Sequence, residues 1–220
     1  MTKLLFIQAS PRGNGSQSIE IARSYLSAFR AKNPDLEVDE LDLWRTDLPA
    51  FDGDKVAAKM NVSLGREHNG VQKTAWDQIV DIANRFVSAD RYLFAVPMWN
   101  YGIPYPLKHY IDVINQPGIL FGIKPGSGYF GLLEKKHATL VLTSGAFSQA
   151  APSPVYGVDF HSTYLRNWLE TAGVSAIDEV RFQPTMLTSD PAGDFERAKQ
   201  GAIRLAQTHG RVQMIKSEIV

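Results

Sequence analysis

The sequence contains no cysteine, no excess of charge of either sign and no long hydrophobic run. Without cysteine, the chain can form neither disulfides nor thiolate zinc sites, and it has no cysteine nucleophile. Its 23 basic and 23 acidic residues cancel, which argues against a nucleic-acid partner because such surfaces carry a basic excess. No stretch approaches the roughly 18 apolar residues of a membrane span, and the N-terminal apolar stretch is too short for a secretory signal. These absences predict a soluble, cytoplasmic protein.

The length and apolar content bound the domain organisation. The chain has 220 residues, of which 44% are hydrophobic, and this is enough for one sizeable core. No internal repeat, low-complexity tract or clear linker divides the sequence. We therefore predict a single domain over residues 1–220, with about the last ten residues as a frayed tail.

Short apolar runs alternate with helical patterns along the chain. Strands are predicted at residues 4–9, 36–43, 92–97, 138–144 and 176–184. Helices are predicted at residues 18–32, 71–88, 106–114, 160–174 and 193–210. This alternation predicts an α/β fold with a doubly wound, five-stranded parallel sheet in the order 2-1-3-4-5. Two segments, 44–70 and 115–136, exceed typical connection lengths, so each is predicted to be functional or part of an interface.

The loop after the first strand, SPRGNGSQS at residues 10–18, has the composition of a phosphate site. Hydroxyl groups and the N-terminus of the following helix favour an anion there, and Arg12 adds a positive charge. The nucleoside-triphosphate loop is excluded because it requires a lysine, and the phosphatase loop because it requires a cysteine. A dinucleotide fingerprint stays open, although Ser18 replaces its third glycine, because Asp39 or Asp42 could bind a ribose. An ordinary helix-start loop is the non-functional alternative.

Two further loops follow the next central strands. In VPMWNYGIP, residues 96–104, two aromatic side chains flank Asn100. Such side chains are costly to expose and favour a flat ligand or a partner chain, unless they pack beneath the long segments. In TSGAFS, residues 143–148, Gly145 suits a tight turn close to a ligand, with a plain turn as the alternative. A serine-hydrolase elbow is excluded because Ser144 lacks the glycine two positions before it.

The three loops are expected to converge, because parallel strands bind ligands at their carboxyl ends. A phosphate site, an aromatic turn and a small-residue turn together suit a flat, phosphorylated heteroaromatic compound such as flavin mononucleotide (FMN).

The motifs SPRGNGSQS, PMWNYGIPYPLKHYID and LVLTSGAFS resemble the flavin-binding loops of the bacterial FMN-dependent NADH-azoreductases, also described as FMN-dependent NADH:quinone oxidoreductases. The resemblance extends over residues 5–210 and includes DLPAFDGD. It implies a flavodoxin-like homodimer with one FMN per subunit. The electron donor would be NADH or NADPH, and quinones or azo compounds would receive two electrons by a ping-pong mechanism. Arg12, Arg66 or Lys108 could meet the 2′-phosphate of NADPH.

The resemblance also implies the residues of the site. The phosphate would be held by Ser10, Ser16, Gln17 and Ser18. The isoalloxazine ring would be contacted by Met98, Trp99, Asn100 and Tyr101. The remaining side would be lined by Ser144, Gly145, Ala146 and Phe147. Family members often have a second glycine in the third loop, and a bulky Phe147 could narrow the pocket here. An apolar lid, in part from a neighbouring subunit, could be formed by Phe121, Tyr129, Phe130 and Phe160.

No catalytic side chain and no metal site are predicted, because a flavin carries the redox chemistry itself. No two of the five histidines have a recognisable metal-binding spacing in the sequence. Three alternatives stay open: a flavin-binding electron carrier without its own substrate, a flavin-free Rossmann-type NAD(P) reductase, and an α/β domain that binds a partner protein through exposed aromatics.

Overall fold

The computed structural model describes residues 2–150 and 155–209. The predicted C-terminal tail lies outside these residues. The strands are β1 (Lys3–Gln8), β2 (Glu37–Asp42), β3 (Arg91–Pro97), β4 (Phe121–Lys124), β5 (Gly128–Gly131), β6 (His137–Thr143) and β7 (Ala176–Phe182). The helices are α1 (Gln17–Lys32), α2 (Gly53–Ser63), α3 (Gly70–Val87), α4 (Tyr105–Ile114), α5 (Ser162–Ala172) and α6 (Pro191–Thr208).

The main sheet has five parallel strands in the order β2-β1-β3-β6-β7. Each of the five predicted apolar runs forms one of these strands, and their spatial order agrees with the prediction. The strand numbers differ because a separate antiparallel hairpin, β4–β5, lies between β3 and β6 in the chain. The sheet places the ends of β1, β3 and β6 side by side, which brings the three predicted loops to one edge.

Alternating strand residues enter two separate cores because consecutive side chains point to opposite faces of the sheet. On β3, Phe94 packs in the core that α3, α4 and α5 cover. Its neighbour Leu93 packs in the core that α1 and α6 cover. Both side chains are fully buried, as expected for a central parallel strand covered by helices on both faces.

Both long segments contain secondary structure that the sequence analysis missed. Helix α2 lies within residues 44–70 and is capped by Asp52, whose side chain accepts a hydrogen bond from the Lys55 backbone. The β4–β5 hairpin lies within residues 115–136 and exposes Tyr129 and Phe130. Phe121, at its base, is buried. No helix among the described residues is long and apolar enough to cross a membrane.

Candidate functional site

A cavity of about 220 Å³ lies at the carboxyl edge of the central strands. It receives residues from the loops after β1, β3 and β6. Its lining is formed by Ser10, Pro11, Arg12, Gln17, Pro97, Met98, Trp99, Thr143, Ser144, Gly145 and Thr185. The three loops therefore converge as the sequence predicts.

The first loop leads into α1 through a short 3₁₀ turn, Gly13–Gly15. Ser16 is the N-cap residue, but its side chain makes no capping hydrogen bond. Its hydroxyl lies 3.0 Å from that of Ser18 instead. The first backbone N–H groups of an α-helix have no partner within the helix. They stay available to an anion, beside two buried hydroxyls.

The second loop contains a tight turn whose geometry leaves two donors free. The backbones of Trp99 and Gly102 exchange both hydrogen bonds, each 2.9 Å long. Between them, Asn100 and Tyr101 have positive φ angles of 47° and 70°. Residues other than glycine rarely adopt this region of backbone conformation. Their two N–H groups make no hydrogen bond to any described residue. Such a strained turn with free donors suits the polar edge of a ring.

The third loop is tied to the second. The Met98 backbone donates to the Thr143 carbonyl over 2.7 Å. The Ser144 hydroxyl lies 3.6 Å from the Met98 sulfur and accepts a 3.1 Å bond from the Phe147 backbone. Ser144 therefore holds the two loops together and shapes the turn at Gly145.

The predicted site residues fall into two groups. The cavity lining includes Ser10, Gln17, Met98, Trp99, Ser144 and Gly145. Outside the lining lie Ser16, Ser18, Asn100, Tyr101, Ala146 and Phe147. Phe147 is buried and lines a neighbouring cavity of about 740 Å³. Phe147 is absent from the lining of the smaller cavity, and its effect on the width of the flavin pocket stays a prediction.

Sequence reasoning missed two contributors to this edge. Thr185, beyond the end of β7, lines the cavity, and its backbone donates to the Ser144 carbonyl over 2.7 Å. The rule about carboxyl ends applies to β7 as well, so that rule could have found Thr185. Trp44, after β2, packs against Trp99 with ring centroids 5.5 Å apart, and no motif in the sequence pointed to it.

The residues of the dinucleotide alternative are engaged elsewhere. Asp39 pairs with Leu5 in the middle of the strand register, away from the carboxyl edge. Its carboxylate lies 2.6 Å from the Arg85 guanidinium and 3.7 Å from the Lys3 ammonium. The hydrogen bond from Arg85 is the main reason that the pKa of Asp39 is lowered. Asp42 accepts a bond from the Trp44 backbone. Neither carboxylate lines the cavity.

Three titratable side chains meet at the opposite edge of the sheet. Asp178 accepts hydrogen bonds from the Nε2 atoms of His137, at 2.6 Å, and His209, at 2.9 Å. Arg91 lies 3.1 Å from His137 Nδ1, and since a guanidinium only donates, that nitrogen accepts. Tyr25 lies 2.8 Å from His209 Nδ1. Spacing in the sequence could not reveal this cluster. Its members satisfy one another as proton donors and acceptors, and the absence of a metal site stays a prediction.

Another larger cavity of about 640 Å³ lies between β7 and α6. Neither it nor the cavity beside Phe147 contains residues from all three loops. Among the cavities described, we therefore assign the smaller one at the strand ends as the candidate cofactor site.

Comparison with known proteins identifies the family of this chain. A family model described as flavodoxin-like fold matches residues 2–205. An FMN-dependent NADH:quinone oxidoreductase from Ruegeria pomeroyi is 52% identical over 198 residues, covering 90% of this chain and 97% of the relative. An FMN-dependent NADH:quinone oxidoreductase from Desulfotalea psychrophila is 39% identical, covering 86% of this chain and 88% of the relative.

Solved structures share the same fold. An azoreductase from Bacillus anthracis superposes with a TM-score of 0.84 at 24% identity, covering 94% of this chain and 100% of that one. An FMN-dependent NADH-azoreductase from the same species, in complex with FMN, gives a TM-score of 0.84 at 23% identity, with coverage of 96% and 100%. With the sequence relatives, these likenesses establish that the chain belongs to the flavodoxin-like family and, within it, to the FMN-dependent NADH:quinone oxidoreductases.

Proposed function

We propose that this protein is an FMN-dependent oxidoreductase that takes electrons from NADH and reduces quinones and azo compounds. The names of the sequence relatives support quinones as substrates, and the names of the structural neighbours support azo compounds. The observation that carries the proposal is that residues from all three loops line one cavity at the carboxyl edge of the sheet.

The residues at this edge fit the two chemical parts of FMN. Ser10, Ser16, Gln17 and Ser18 would hold the phosphate, together with the uncapped start of α1. Arg12, at the exposed rim, supplies a positive charge. A phosphate dianion is favoured there by the free N–H groups and by the helix dipole.

The ring of FMN would lie between the second and third loops. Met98 and Trp99 would provide apolar contact, and the free N–H groups of Asn100 and Tyr101 would donate to its polar edge. Gly145 and Ala146 would lie on the other side of the ring, in the turn of the third loop. Ala146 and Phe147 lie outside the cavity lining, and we propose that they affect substrate range from there.

When bound, FMN supplies the redox chemistry by accepting a hydride from the nicotinamide and passing two electrons to the acceptor. The chain binds and orients the reactants and excludes water from them. Since one pocket serves both half-reactions, donor and acceptor would occupy it in turn, which predicts ping-pong kinetics.

Among the basic residues considered for NADPH, the structure favours none except Arg12. Lys108 pairs with Asp112 over 2.5 Å on α4, and Arg66 lies in the connection between α2 and α3. Arg12 borders the phosphate end of the cavity. Because the names of the relatives give NADH as the donor, we propose NADH as the main donor of this protein too.

The proposal is tested by following NADH oxidation with benzoquinone as acceptor, using flavin-free protein with and without added FMN. We expect turnover that requires both protein and FMN and that gives parallel lines in double-reciprocal plots. Free FMN without protein is the control. An FMN-loaded protein that oxidises NADH no faster than free FMN would contradict the function. An azo dye in place of benzoquinone tests the second substrate class.

We also propose that the chain forms a homodimer, since several aromatic side chains lie uncovered on the surface of this subunit. Tyr101, Tyr129, Phe130 and Phe160 are each at least half exposed, and such groups favour cover by another chain. The hairpin β4–β5 of a second copy could then serve as the apolar lid. Light scattering is expected to give twice the mass of the 24.4 kDa chain. A monomer at micromolar concentration would contradict this arrangement.

We further propose that the 220 residues form one domain, because α1 and α6, from the two ends of the chain, pack on the same face of one sheet. A cytoplasmic location is consistent with the absence of cysteine and with NADH as donor. Limited proteolysis that released two stable fragments would contradict the single domain, and fractionation of the native cells would test the location.

A further inference from the structure

We propose that Trp44 is a positioning residue that holds the phosphate loop and the ring loop in register with each other. This inference rests on the proposed function of the cavity and adds a residue outside its lining. Trp44 follows β2, so it lies in neither loop, yet it contacts both.

The first contact is a hydrogen bond to the phosphate loop. The indole Nε1–H of Trp44 donates to the carbonyl of Ala9 over 3.0 Å. Ala9 directly precedes Ser10, which lines the cavity. A buried carbonyl needs a partner, because an unmet acceptor destabilises the fold. The indole therefore fixes the path of the chain as it enters the phosphate loop.

The second contact is aromatic packing at both ends of the ring-binding turn. Trp44 lies 5.5 Å from Trp99, at the start of the turn, and 5.3 Å from Tyr105, just after it, with the second pair edge-to-face. Trp99 and Tyr105 are themselves 6.2 Å apart. Aromatic pairs at such distances attract each other beyond the burial of their surface. Trp44 therefore supports a turn that contains two residues with positive φ.

Trp44 is itself held rigidly enough for this role. Its backbone N–H donates to the Asp42 carboxylate over 3.0 Å. The preceding residue, Leu43, donates to the Gln8 carbonyl at the end of β1 over 3.1 Å. Thr46 closes the same turn by donating from its hydroxyl to the Asp42 carbonyl over 2.6 Å. The indole is half-buried between the two loops.

Two substitutions separate the two contacts. Trp44→Phe keeps an aromatic ring against Trp99 but removes the bond to the Ala9 carbonyl. Trp44→Leu removes both. Each variant is titrated with FMN and with riboflavin, which has the same ring but no phosphate. Trp76, half-buried on α3 and packed against the core, supplies the matched controls Trp76→Phe and Trp76→Leu.

We expect Trp44→Phe to weaken FMN binding about fivefold with little change for riboflavin, since only the phosphate loop loses its anchor. Trp44→Leu should weaken both flavins about tenfold, because the ring loop loses its support as well. The Trp76 variants should lower the melting temperature without changing either affinity.

The inference is overturned if both Trp44 variants bind both flavins within twofold of wild type, or if the ratio of FMN to riboflavin affinity does not change in Trp44→Phe. These outcomes leave the proposed function standing. A wild-type protein that binds neither flavin would overturn the function and this inference together.

Discussion

Replacing Gln17 with glutamate is expected to weaken FMN binding about 100-fold, or about 2.7 kcal/mol, while leaving riboflavin binding within twofold of wild type. Gln17 is the first residue of α1 and lines the cavity. The change keeps the shape of the side chain and adds one negative charge beside the phosphate dianion. A charge pair at contact distance near a protein surface interacts by several kcal/mol, which solvent reduces to about this value. The measurement is a fluorescence titration of flavin-free protein with each flavin.

The same substitution should not harm the fold. A carboxylate in the first turn of a helix is favourable by about 0.3–1 kcal/mol, so the flavin-free variant should melt at or slightly above the wild-type temperature. Gln78→Glu, on the exposed face of α3, is the control for the change in net charge. If Gln17→Glu lowers riboflavin and FMN affinity equally, the phosphate does not lie at the start of α1.

Acidification from pH 6.5 to pH 4 is expected to cost up to about 3 kcal/mol of folding stability through His161 alone. This side chain is fully buried at the start of α5, and both ring nitrogens lack a hydrogen-bond partner among the described residues. Burial lowers the pKa of His161 to about 4. The negative charge of Asp159 opposes this shift, and the positive charge of Arg181 acts with it.

The direction of the effect follows from proton binding. The unfolded chain protonates His161 near pH 6.5, whereas the folded protein does so only near pH 4. In this window the unfolded state binds more protons, so stability falls as the pH falls. The full contribution is present above pH 6.5. The pKa values of His137 and His209 are also lowered, mainly by burial, so they add to the loss in the same direction.

Two variants of His161 test this account by urea unfolding over a series of pH values. His161→Leu should be more stable than wild type by about 1 kcal/mol at neutral pH, because it removes two unpartnered polar atoms. It should also lose less stability on acidification. His161→Gln has no titratable group but keeps buried polar atoms. It should therefore show the flatter pH dependence of His161→Leu without its gain in stability at neutral pH. Equal acid losses in wild type and both variants would show that His161 is not the group responsible.

Much of the architecture follows from local patterns in the sequence. Buried parallel strands such as β3 and β6 are almost continuously apolar, so their positions were evident to within about a residue. The α2 helix and the β4–β5 hairpin were missed for a different reason. The hairpin strands are only four residues long, and they expose apolar side chains, so neither period nor alternation marked them.

The site was predictable where it depends on strand ends and unpredictable where it depends on tertiary contact. The rule that loops at carboxyl ends converge found the edge occupied by Ser10, Met98 and Gly145. It could not predict that the Ser16 hydroxyl would contact Ser18, because the sequence is equally compatible with Ser16 capping α1. Trp44 reaches the site only through folding of the segment after β2, which carries no motif.

The binding of FMN by the flavin-free wild-type protein tests the central claim most directly. Titration should show saturation at one FMN per chain, with flavin absorbance bands on the protein and quenching of its tryptophan fluorescence by energy transfer from Trp99 and Trp44. Riboflavin should bind more weakly than FMN, because it lacks the phosphate and the binding energy that the phosphate contributes. A colourless protein whose tryptophan fluorescence is unchanged by FMN would contradict the account.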